Sequence, residues 1–93
     1  MALWMLWEVD GIASAGEDVG DTTGAAEALD RSIARIRERA ALSGIEDAVL
    51  LSNATEAREL MLAEGHATVK GGLPWSVVVG RVRITLRPKD ERV

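Results

Sequence analysis

The run from Ala2 to Val9 constrains this chain more than any other segment. Leu3, Trp4, Met5, Leu6 and Trp7 are apolar on both alternating sides, and Asp10-Gly11 follows as a turn signal. Such a run predicts a strand over residues 2–9 that needs cover on both faces. It must be central in a sheet or closed off by a second subunit. Trp4 and Trp7 stand three apart, so a strand aims them in opposite directions. One can fill the core; the other needs cover that 93 residues are poorly equipped to supply. Leu3, Trp4, Met5, Leu6 and Trp7 are therefore the candidate protein interface, since tryptophan and methionine are enriched at interface centres.

The clearest helix lies over residues 23–42. Leu29, Ile33, Ile36 and Ala40 recur at helical spacing and make one apolar stripe. Thr22 or Thr23 can cap its start, and Ser43-Gly44 reads as its end. Arg31, Arg35 and Arg39, four apart, form a basic ridge on it. Residues 11–22, rich in glycine, serine and acids, read as a flexible loop. Ala48-Val49-Leu50-Leu51 reads as a short buried strand. Asn53 with Glu56 resembles a capping box opening a second helix over residues 54–64, which Gly65 closes. Residues 67–70 read as another short strand, 71–74 as a turn and 76–87 as a long final strand, with a charged tail over 88–93. In that last strand Val78, Gly80, Val82, Ile84 and Leu86 share one parity, and Arg81, Arg83, Thr85 and Arg87 the other. Gly80 marks a bulge or bend.

These elements predict one small α+β domain over residues 1–93, ordered β-α-β-α-β-β. A four-stranded sheet carries two helices on one face, and the β-α-β pieces cross over right-handed.

Composition removes whole classes of chemistry. The chain has no cysteine and one histidine, which argues against thiolate or multi-histidine metal sites, a cysteine nucleophile and redox work. His66 lacks the spacing of a triad or metal motif. Glu17, Asp18 and Asp21 lack the alternation of a calcium loop. The glycines before the first helix have neither the dinucleotide spacing nor a following lysine. No enzyme, cofactor or metal is expected. The apolar opening run lacks a preceding basic segment and stops at Glu8, unlike a signal peptide, so the expected setting is the cytoplasm, with no membrane partner.

Charge is segregated. Residues 1–30 hold seven acids and no base, while residues 31–93 hold eleven bases and eight acids, leaving a net charge of −4. An acidic front and a basic back can pair within one fold or between copies of it. The expected function is a non-enzymatic interaction or assembly module whose partner is itself or another protein. The alternative is nucleic-acid binding, RNA above all, through Lys70, Arg81, Arg83 and Arg87. Ala57-x-x-Leu60-Met61 followed by Gly65-x-Ala67-x-Val69-Lys70-Gly71 resembles the helix-turn-strand segment of S4-type RNA-binding domains. It differs by one extra residue before the glycine and by Lys70 where that family favours asparagine. The resemblance implies RNA as the partner in that alternative.

Overall fold

Two antiparallel hairpins, one at each end of the chain, build the sheet, and the helical middle of the chain covers one side of it. The computed structural model describes residues 2–89. The first hairpin joins β1 (Ala2–Val9) to β2 (Ala13–Asp18); the last joins β3 (Trp75–Val79) to β4 (Val82–Lys89). Between them run α1 (Thr22–Arg39), α2 (Gly44–Leu60), a π-helical turn (Met61–Gly65) and α3 (His66–Lys70). The strand order is β2-β1-β4-β3, antiparallel throughout. The architecture is the expected α+β domain with a four-stranded sheet, but the element order is β-β-α-α-β-β. With both hairpins local and β1 paired antiparallel to β4, the sheet contains no right-handed parallel crossover.

The alternating parity of β1 sets the core. Leu3, Met5, Trp7 and Val9 point toward the helices with Val82, Ile84 and Leu86 of β4 beside them. Against this floor lie Leu29, Ile33 and Ile36 of α1, the expected stripe, together with Leu50, Ala54, Ala57, Met61 and Val69. Asp21 caps α1 by accepting the Gly24 N–H at 2.7 Å.

Five local readings are overturned. Residues 13–18, expected as part of a loop, form an edge strand. Its sequence carries no large apolar side chain, so only pairing with β1 extends it. Residues 48–51 are helical, because Ser43-Gly44 opens α2 instead of closing α1. Ser43 and Glu46 make a reciprocal capping box, and Leu50, Ala54, Ala57 and Met61 then line one buried face. Asn53, expected as a cap, sits mid-helix. Gly65 and residues 67–70 also continue the helix, so the strand that the RNA-binding resemblance needed is absent. Gly65 sits under the Trp75 ring, where a Cβ would lie 3.0 Å from a ring carbon. Finally, residues 76–87 are a hairpin. Gly80, at φ +57°, opens a two-residue turn and lies so close to Asn53 that no Cβ fits. The turn reverses parity: Val77 and Val79 pack inward, and Val78 points outward.

The two hairpin turns are tied together. The Asp10 N–H donates to the Arg81 carbonyl at 2.9 Å, and the Arg81 guanidinium donates back to the Asp10 carbonyl. No helix of the described residues is long and apolar enough to cross a membrane.

Candidate interaction face

All helical cover falls on one side of the sheet, so the other side is a single open layer. Register assigns its residues in rows across the strands. Ser14, Glu8, Arg83 and Val78 form one row, and Gly16, Leu6, Thr85 and Ser76 the next. Asp18, Trp4 and Arg87 form a third. Trp4 is half-buried, whereas Leu6 is 38% and Val78 60% exposed. Trp4 and Leu6 lean over Gly16, where an added Cβ would stand 2.8 Å from a Leu6 methyl and 2.9 Å from the indole. Beside them lies a shallow hollow of about 350 Å³, bounded by Leu6, Glu8, Ser14, Arg83 and Thr85.

Charge on this face divides by strand. Glu8 and Asp18 lie on β1 and β2; Arg83, Arg87 and Lys89 lie on β4. Lys89 donates to Asp18 at 3.0 Å and stands 5.0 Å above the Trp4 ring centroid, a cation–π contact. The Lys89 ammonium, helped by the Gly20 N–H, holds the Asp18 carboxyl below its ordinary value. Arg83 stands 3.7 Å from Glu8. Ser76 and Thr85 hydroxyls share a hydrogen bond at 3.1 Å. These contacts are solvent-exposed and fix side-chain positions more than they stabilise the fold.

The structure divides the expected interface residues. Leu3, Met5 and Trp7 point to the helical side and offer nothing to the open face; Trp4 and Leu6 remain on it. The expected basic set is also dispersed. Arg83 and Arg87 share the open face, Arg81 is held in the turn by Asp10, and Lys70 ends α3 on the helical side. Arg31, Arg35 and Arg39 lie exposed along α1. Two of the three acids considered for a cation have other partners: Asp18 binds Lys89 and Asp21 caps α1. Among the described residues no three His, Cys, Asp or Glu side chains gather to hold a metal. His66 Nδ1 lies 3.1 Å from the Thr22 hydroxyl, packing the α3 start against the α1 start.

Sequence reasoning missed Val78, Ser76 and Gly16 as parts of this face. Val78 was legible only through the Gly80 turn, and Gly16 only through the pairing of β2. No family model, curated protein or solved structure matches the chain.

Proposed function

We propose that this domain is a non-enzymatic assembly module that associates with a second copy of itself through the open face of its sheet. The observation that carries this reading is a strand order that leaves Trp4, Leu6 and Val78 uncovered at one side of a four-stranded sheet. The charge division favours a second copy as occupant. A two-fold axis in the contact plane, parallel to the strands and between β1 and β4, sets β1 of one copy against β4 of the other. Glu8 then faces the second copy's Arg83, and Leu6 its Thr85, so the acidic half of each face meets the basic half of the other. Four strands about 4.8 Å apart and roughly 20–25 Å long offer about 400–500 Å² per copy. That is below the standard interface size and fits a dimer dissociating in the micromolar range. A cytoplasmic setting belongs to the same proposal and is supported by the cysteine-free composition.

Size-exclusion chromatography with light scattering, from low to high micromolar protein, tests it directly. The expected result is a mass rising from monomer toward dimer. A chain that stays monomeric at high micromolar concentration refutes it.

One arrangement favours nucleic acid as a second reading: Trp4, Arg83, Arg87 and Lys89 share the face, offering one ring for stacking and three cations for phosphate. Against it, Arg83 and Lys89 are each paired with a carboxylate, and Lys89 covers the ring.

A further inference from the structure

A second surface, distinct from the open face, lies along the free edge of β2. Strand β2 ends the sheet, so one side of its backbone has no strand partner. The Val19 N–H donates to the Leu3 carbonyl, which fixes the alternation of the ladder. Residues of odd number turn their N–H and C=O toward β1, leaving those of Ser14, Gly16 and Asp18 directed outward. The side chains along the first two thirds of this edge are small (Ala13, Ser14, Ala15, Gly16) and do not shield it; Glu17 and Asp18 carry charge at its far end, where Lys89 pairs with Asp18. Natural edge strands are usually blocked by bulky charge, proline or a covering element.

Between this edge and α1 runs a groove of about 430 Å³. Trp7, Ile36 and Ala40 give it an apolar lining, and Ser32, Arg35 and Arg39 line its helical side. Arg35 and Arg39 are exposed and form no ion pair among the described residues. Trp7 is 8% exposed, and its indole N–H is buried without an acceptor. An unfilled backbone edge and two unpaired guanidinium groups thus border one cleft. The two guanidinium groups favour an acceptor of negative charge. The two arginines repeat about every 6 Å along α1, close to the roughly 6.8 Å between alternate side chains of an added strand.

We propose that the β2 edge and the α1 groove bind an extended acidic segment of a partner protein by strand addition. Main-chain hydrogen bonds to Ser14, Gly16 and Asp18 hold the segment, and its alternate acidic side chains face Arg35 and Arg39. The Trp7 ring supplies the apolar wall against which the segment packs.

The test uses a fluorescein-labelled peptide, Val-Thr-Glu-Thr-Glu-Thr-Val, with a lysine-for-glutamate peptide as control. Fluorescence anisotropy follows binding, and ¹⁵N-edited NMR locates it. The wild type should bind the acidic peptide and reject the basic one. The amides of Ser14, Gly16 and Asp18 and the Trp7 indole N–H should shift, the indole being assigned through Trp7→Phe. Arg35→Ala with Arg39→Ala should weaken binding by about tenfold at low salt, the sum of two exposed ion pairs. Ser14→Pro removes an outward N–H that β1 does not use, so it should abolish binding while circular dichroism shows a folded domain. Should that variant unfold, Arg35→Glu with Arg39→Glu supplies the same decision, because both positions are exposed. No binding by the wild type overturns the proposal, as does binding that survives these substitutions. Shifts at Leu6 and Thr85 instead would place the peptide on the open face and overturn it too. Shifts of the β2 amides on raising protein concentration without peptide, with Leu6 and Thr85 unmoved, would assign the edge to a second copy and likewise overturn it. Loss of the dimer at the open face leaves this experiment readable, since the two surfaces share neither Leu6 nor Arg35.

Discussion

Leu6→Ala separates self-association from folding, because Leu6 lies on the open face and contributes nothing to the inner core. Burying a whole leucine side chain is worth roughly 1.5–3 kcal/mol. Leu6 is 38% exposed in the isolated chain, so covering the remainder gains about 0.6–1.1 kcal/mol per copy. Two-fold symmetry counts the residue twice, giving about 1.2–2.2 kcal/mol per dimer, or about a 7- to 40-fold weaker dimer on truncation. Sedimentation velocity over a dilution series of wild type and variant measures that ratio. Thermal melting, run below the concentration at which wild type dimerises, measures the fold itself. Its midpoint should fall by several degrees, because the part of Leu6 already packed over Gly16 is worth about 0.9–1.9 kcal/mol on the same scale and is lost in both states of association. An unchanged dimer constant with Leu6 truncated would refute the open face as the interface, even if the protein does dimerise. Loss of cooperative melting in the monomer would refute the assignment of Leu6 to the outside.

Other substitutions probe the fold and the second reading. Ile33→Asp should abolish cooperative melting, since Ile33 is 4% exposed within the core and an unpaired carboxylate cannot be accommodated there; an intact melting curve would mean that α1 is rotated from its observed phase. Ser43→Ala removes the capping box of α2 and should cost about 0.5–2 kcal/mol in urea unfolding, while a neutral result would show that packing alone holds that helix end. Asp18, Glu46 and Asp47 all have lowered pKa values, caused chiefly by Lys89, by the Ser43 N–H and by Arg37 respectively. A depressed carboxyl contributes its stability above the ordinary values of 3.8 for aspartate and 4.5 for glutamate, and loses it as pH falls through the folded value. The melting temperature should therefore fall on acidification through that range, and Asp47→Asn should make the fall shallower. For nucleic acid, Arg83→Ala with Arg87→Ala should leave only micromolar or weaker binding to single-stranded RNA at physiological salt, as in wild type. Submicromolar wild-type binding that loses roughly 1.4–1.8 units of log–log salt slope in the double variant would put nucleic acid first.

What the sequence determined by itself was whatever a single segment encodes in its own periodicity. The alternation from Leu3 to Val9 and the stripe Leu29-Ile33-Ile36 are dense enough in large apolar residues that strand and helix each follow without reference to the rest of the chain. The opposite aims of Trp4 and Trp7 follow from the same alternation, and they already implied one uncovered face. Tertiary structure decided the rest, where the local signal was short or small. Ala-Val-Leu-Leu at 48–51 fits a strand or a helix equally. Its choice depends on Ser43 capping forward instead of backward, and on Leu50, Ala54, Ala57 and Met61 finding the sheet. Ala13–Asp18 has no apolar pattern at all and becomes a strand only because β1 offers it a backbone ladder. The two-residue turn at Gly80 needed Asn53 and the pairing of Val79 with Val82 to declare itself, and with it went the side on which Val78 lies. Hence the candidate face was half legible: Trp4 and Leu6 could be named from parity, whereas which of the five apolar residues stayed outside depended on where the helices packed. Buried contacts between distant segments outweigh weak local propensity, and here they chose the covered side of the sheet.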